Sequence, residues 1–173
     1  MITRFAKIRD VKSPSRGHLP DAGVDFFIPE YSKELAELIK KSCKNKEFVI
    51  TPDHSTIGIP ANSSVLIPSG IKIEIAHGFM GMFADKSGVA SKKELLIGAK
   101  VVDTGYSGEV HIDIHNVSDR IKWIEFGEKI VQMIFIPIVS SVLLEVDESV
   151  LYDYDNSDDQ RGDNGFGSTN KKD

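Results

Sequence analysis

Apolar and polar residues alternate with period two at several places along the chain. Ile71, Ile73 and Ile75 alternate with Lys72 and Glu74, and Val110, Ile112 and Ile114 alternate with His111, Asp113 and His115. Successive side chains of a strand point to opposite faces, so each run predicts a strand with one buried face. Ile130 to Ile136 is apolar except for Gln132. It predicts a strand covered on both faces and weakened at Pro137, which has no N–H for the ladder. Turn signals at Pro68-Ser69-Gly70, His77-Gly78, Thr104-Gly105 and Phe126-Gly127 separate such runs. Short strands with frequent turns predict an all-β sandwich or barrel.

One stretch has helical spacing instead. Leu35, Leu38, Ile39 and Cys43 fall on one face, with Glu34 early and Lys40, Lys41, Lys44 and Lys46 late, an order that complements a helix dipole. It predicts one amphipathic helix, Ser32 to Lys46, packed outside the sheet; docking to a membrane or a protein partner is the alternative use of that face. A shorter helix is expected from Ser87 through Glu94. After Val150 the chain turns acidic and polar and then glycine-rich, the pattern of a mobile tail. These features predict one β domain over 1–150 and a flexible arm over 151–173.

Composition narrows the function classes. At 173 residues with 40% hydrophobic residues, the chain suits one core-bearing domain. Its longest apolar runs fall short of the roughly 20 residues of a membrane span, and its first ten residues contain no apolar leader core. Cys43 is the only cysteine, which rules out an intrachain disulfide or a cysteine zinc site and agrees with a reducing compartment. The expectation is cytoplasmic, or host cytosol or nucleus for a viral chain, without membrane association. A net charge of −5 has the wrong sign for gripping nucleic acid, although local donors and a metal ion can still hold a small anion.

The segment RGDNGFGST at 161–169 concentrates candidate chemistry. Arg161 can fork onto phosphate oxygens, and Ser168 and Thr169 can donate to them. Gly165 and Gly167 let the backbone turn closely around Phe166, whose ring suits a flat partner such as a base. Lys86, Ser87 and Gly88 lie where a helix begins and free N–H groups attract anions, although a plain Ser cap has the same appearance. Asp103 and Tyr106 sit at a turn between apolar strands, where Asp103 is either a turn former or a general base. Asp25 suits a hard cation, directly or through water, with Asp21 as the nearby alternative. His111, Asp113 and His115 share a strand face that reads as solvated or subunit-facing rather than metal-binding. No GxxxxGKS/T loop, HExxH pair, GxSxG elbow or GxGxxG turn is present.

Five segments occur in fixed order: DAGVDFF at 21–27, DKSGVAS at 85–91, VVDTGYSGEV at 101–110, FGEKIVQMIFIP at 126–137 and RGDNGFGST at 161–169. Together they resemble the five motifs of the trimeric dUTPase family. The resemblance implies a jelly-roll β-barrel subunit, a homotrimer with shared active sites, and Mg²⁺-dependent hydrolysis of dUTP to dUMP and pyrophosphate. By motif position, Asp103 would activate the attacking water, and Asp25 would hold the water shell of the metal. Tyr106 would lie under the deoxyribose, while Lys86, Ser87, Gly88 and Gln132 would serve the phosphate chain. Phe166 would stack on uracil, with Arg161, Gly167, Ser168 and Thr169 closing over the phosphates. Relative to a minimal member, residues at about 30–58, with the predicted helix, resemble an insertion. The resemblance also leaves room for a dCTP deaminase-like or bifunctional relative, and for a nucleotide-binding regulator acting through the inserted helix.

Three positions depart from that pattern. Asp85-Lys86-Ser87 stands where the family has Pro-Arg-Ser, replacing a bidentate fork by a point charge. Lys100 replaces a small glycine and bears on base selectivity. Ser107 replaces the arginine of Tyr-Arg-Gly.

Overall fold

The period-two segments become strands because pairing them buries one complete row of side chains while satisfying the backbone. The structure, a computed structural model, describes residues 2–42 and 48–151. Its strands are β1 (Arg4–Lys7), β2 (Val24–Phe27), β3 (Val49–Ile50), β4 (Thr56–Ile59), β5 (Ser63–Pro68), β6 (Ile71–Glu74), β7 (Phe79–Asp85), β8 (Leu95–Ile97), β9 (Val101–Val102), β10 (His111–Asn116), β11 (Lys122–Glu125) and β12 (Lys129–Pro137). They form four antiparallel sheets, ordered β1-β6, β5-β10-β8, β11-β4-β3 and β2-β12-β7-β9. The alternation in β6 and β10 corresponds to strict burial of Ile71 and Ile73 and of Ile112 and Ile114.

The apolar run predicts β12 covered on both faces; in its first half Ile130, Val131 and Met133 are fully buried, but for a different reason. Consecutive buried residues cannot lie on one face of a regular strand. Here the pairing of β12 with β2 shifts register between Lys129 and Val131, a β-bulge that turns both neighbours inward. Phe26 of β2 and Phe83 of β7 meet edge-to-face across this sheet, their centroids 5.2 Å apart. Pro137 ends the strand at the place its missing N–H predicts.

Helix α1 (Lys33–Ser42) begins one residue after its expected first residue, which serves as its cap. The Ser32 hydroxyl accepts from Leu35 N at 3.0 Å, and the Ser32 carbonyl accepts from Ala36 N. Leu35 and Ile39 are buried and Leu38 is half-buried, so the predicted stripe faces the core. The expected continuation through Lys46 enters residues 43–47, outside the described residues. The expected turn of helix after Ser87 is present, with a π-type turn over Val89–Lys93.

The chain divides into two compact units, one ending at Ser140 and one starting at Ser141. The described part of the second unit contains a short 3₁₀ turn, Glu148–Val150, and exposed apolar side chains at Val142, Leu143 and Leu144.

Candidate functional site

Asp25 is the best-buried carboxylate among the described residues, at 5% exposure. It lies on β2 opposite Gln132 of β12, with its backbone bridged to Ser15. Two cations converge on it: Lys86 Nζ bonds Oδ1, and Lys129 Nζ lies 3.0 Å from Oδ2. Gln132 donates from Nε2 to the Asp85 carbonyl at 2.9 Å and lies across Gly23, where an added Cβ would be 2.0 Å from Gln132 Oε1. Asp25, Lys86, Lys129 and Gln132 line one cleft of about 420 Å³ with Asp21 and Gly23. Asp21, the alternative to Asp25, is engaged in a turn, accepting from His18 N at 2.8 Å.

Lys129 is absent from the residues singled out in the sequence. Strict alternation puts positions 129 and 132 on opposite faces, and the bulge at Lys129 to Val131 brings both to Asp25. An apolar pair at 130 and 131 is the one trace of it in the sequence, and by itself that pair reads as ordinary double-sided burial.

Burial raises the proton affinity of Asp25, but hydrogen bonds from Lys86 and Lys129 and their charges outweigh it and hold the carboxyl below its ordinary value. The unfolded chain therefore binds the proton more readily. This contribution to stability is complete above the ordinary carboxylate range, near pH 4, and is lost as pH falls through the lowered folded value. Asp25→Asn is expected to flatten the acid limb of a Tm-against-pH curve below about pH 5; a limb as steep as that of the wild type would contradict this.

No group of three or more His, Cys, Asp or Glu suited to a metal occurs among the described residues. Those residues offer no direct protein cage. Mg²⁺ commonly keeps several waters and takes one or two carboxylates together with substrate phosphates. One ionised carboxylate beside a cationic cleft suited to phosphates fits that second mode.

A second pocket, of about 280 Å³, is lined by Val102, Asp103, Tyr106, Val110 and His111, with Phe83 and Ala99 among its other walls. It shares no lining residue with the Asp25 cleft. The expected turn between two strands is here a link between two sheets, since β9 pairs with β7 whereas β10 pairs with β5 and β8. Tyr106 N donates to the Asp103 carbonyl at 3.2 Å, and Gly105 takes φ +86°, the left-handed value such a turn requires. The Asp103 carboxylate is exposed and accepts no hydrogen bond among the described residues. Tyr106 is half-exposed; its hydroxyl donates to the Glu109 carbonyl at 2.9 Å and its ring covers Gly108.

Ser87 and Gly88 are exposed at the start of the short helix, and a Cβ on Gly88 would meet nothing within 4 Å. The chain's own packing therefore does not require glycine there. Lys100 does not line the second pocket; its ammonium lies 3.6 Å from Asp85 Oδ2. Along β10, His115 Nε2 meets Asp113 Oδ2 at 3.0 Å, while His111 Nδ1 faces the Glu109 carbonyl. Arg161, Phe166, Gly167, Ser168 and Thr169 lie outside the described residues.

Comparison with known proteins gives the fold and the family. The solved structure of Staphylococcus bacteriophage 80alpha dUTPase with dUPNHPP superposes with a TM-score of 0.68, covering 96% of this chain and 97% of that one; at 22% identity it bears on the fold. A deoxyuridine 5'-triphosphate nucleotidohydrolase of Hydrogenobaculum sp. is 31% identical over 150 residues, which span 86% of this chain and 93% of that protein. The Arabidopsis thaliana protein of the same name is 37% identical over 111 residues, which span 64% of this chain and 63% of the plant protein. The family model described as dUTPase matches residues 52–170. With a jelly-roll-like β fold, five ordered motifs and that match over most of its length, the chain belongs to the dUTPase family.

Proposed function

We propose that the chain hydrolyses dUTP to dUMP and pyrophosphate by attack of water on the α-phosphorus. The observation that supports this reading best is the division of labour between two clefts. One is cationic around a buried carboxylate and suits a triphosphate; the other is largely apolar, with Asp103 and Tyr106 at its wall, and suits a nucleoside.

In this reading the deoxyribose lies against the Tyr106 ring, which leaves no room for a 2′-hydroxyl. The arriving triphosphate competes with Asp25 for Lys86 and Lys129, and Ser87, Gly88 and Gln132 hold the phosphate chain near them. Mg²⁺ supplies further charge neutralisation when bound, and Asp25 is the residue that would hold its water shell. Asp103 accepts the proton of the attacking water as its oxygen bonds to the α-phosphorus. The bond from that phosphorus to the bridging oxygen breaks, and pyrophosphate leaves with the bonding pair. Such a transfer needs mainly positioning and charge stabilisation. Arg161 and Phe166 of the arm, with Gly167, Ser168 and Thr169, close over phosphates and uracil.

By the motif resemblance, a complete site is assigned to the contact between copies in a homotrimer. The exposed run Val142, Leu143 and Leu144 supports that assignment, since adjacent apolar side chains in water call for a covering partner. The proposed setting is the cytosol, or host cytosol or nucleus for a viral chain.

The test is to incubate the protein with Mg²⁺ and dUTP, dCTP, dTTP or UTP in turn and measure pyrophosphate, monophosphate and ammonia. dUTP alone is expected to yield pyrophosphate and dUMP in equal amounts, without ammonia, from a species of trimeric mass in sedimentation. Equal turnover of dCTP, release of ammonia, or no pyrophosphate from any substrate would overturn the reading.

A further inference from the structure

Glu109 follows the Asp103–Gly108 turn directly, yet its side chain points away from the pocket and is 12% exposed. Three donors hold its carboxylate. Arg9 reaches it bidentately, Nε to Oε1 at 3.0 Å and Nη2 to Oε2 at 3.1 Å, and Gly70 N donates to Oε1 at 2.7 Å. Arg9 is itself 16% exposed, and its remaining Nη1 donates to Glu34 in the first turn of α1 at 2.9 Å. Gly70 permits this packing: it takes φ +74°, and an added Cβ would lie 3.0 Å from Val11 and 3.1 Å from Arg9.

The main chain of Glu109 is turned the other way. Its carbonyl oxygen accepts from the Tyr106 hydroxyl at 2.9 Å and lies 2.9 Å from His111 Nδ1, so that ring carries its proton on Nδ1. One residue thus connects a charge-assisted, nearly buried anchor to the two ring side chains that wall the Asp103 pocket. Anchors of this kind matter where displacement of a reacting group by about 1 Å costs about a hundredfold in rate.

We infer that Arg9 and Glu109 are positioning residues for the Asp103–Tyr106 turn, acting through the hydrogen bond from Tyr106 to the Glu109 carbonyl. The inference rests on the proposed hydrolysis of dUTP. Glu34 is the outer contact, 75% exposed, where an ion pair contributes little.

The test combines kinetics with hydrogen exchange on the full-length protein. Glu109→Gln keeps the shape and removes the charge, and Arg9→Lys keeps the charge and removes the fork, so two variants stand should one fail to fold. Each is expected to lower kcat/KM for dUTP between about ten- and a hundredfold and to speed amide exchange over residues 103–109 while β12 stays protected. Glu34→Gln should remain within about twofold of wild type. A structural defect alone would add to the loss from Tyr106→Phe; a positioning role predicts that Glu109→Gln costs far less in the Tyr106→Phe background. Unchanged kcat/KM, unchanged exchange at 103–109, or an additive cycle overturns the inference. If wild type releases no pyrophosphate from dUTP, the functional reading fails, and exchange at 103–109 still decides whether the clamp orders the turn.

Discussion

Asp103→Asn is expected to yield a folded protein that binds dUTP and turns it over about a hundredfold to ten-thousandfold more slowly, the range for loss of a general base. The substitution is structurally mild. The turn uses the backbone carbonyl of Asp103, which the amide variant retains, while the carboxylate is exposed and accepts nothing among the described residues. Its removal therefore leaves no donor unsatisfied and changes the volume little. What it removes is the acceptor for the proton of water. The measurement is kcat on dUTP beside the Kd of a non-hydrolysable analogue and the Tm. Near-normal kcat would reject Asp103 as the base, and a collapsed Tm would make the loss structural.

Deleting residues 160–173 is expected to leave the fold and the assembly intact while kcat/KM for dUTP falls at least about a hundredfold. The buried apolar residues of the described chain end at Met133, so the truncation removes none of them. It does remove Arg161, Phe166, Ser168 and Thr169, the fork, the ring and the hydroxyls assigned to the phosphates and base. Unchanged kcat/KM would refute the role of the arm. The same variant tests sharing between copies. Co-expressed with full-length Asp103→Asn, one subunit supplies Asp103 and the other an arm, so mixed assemblies of the proposed kind regain activity if arms act on neighbouring subunits and stay inactive if each arm serves its own.

The departures from the family pattern have visible consequences in the structure. Lys86, where the family has arginine, bonds Asp25 as a point charge, and Lys129 takes the second oxygen of the same carboxylate. A buried carboxylate with two ammonium partners is held ionised. Lys100 reaches Asp85, whose other oxygen accepts from Ile97 N at 2.7 Å. That pair secures the end of β7 next to Lys86 and leaves the second pocket walled by Ala99 and Val101. The expectation that Lys100 bears on base selectivity therefore becomes one about the end of β7.

Much of this protein was determined by the order of its residues. Period two marked β6 and β10, a continuous apolar run marked β12, the spacing of Leu35 and Ile39 marked α1, Ser32 marked its start, and Gly105 marked a turn that needs a left-handed residue. These signals are local: they follow from which way neighbouring side chains point and which φ values a residue tolerates. The ordered motifs carried the family in the same way, because each is a short run of residue types. Tertiary structure alone decided which of those runs meet. Lys86 and Asp25 are 61 residues apart and Arg9 and Glu109 are 100 apart, distances over which no periodicity carries information. Strand pairing sets them face to face, and pairing is chosen by burial summed over the whole core. The bulge at Lys129 to Val131 is the clearest case, for it reverses the face that alternation assigns and delivers Lys129 to Asp25. The Asp103 turn is the other: its residues predicted a bend between strands, and only the sheets showed that it crosses from one to another, with Glu109 anchoring its far end.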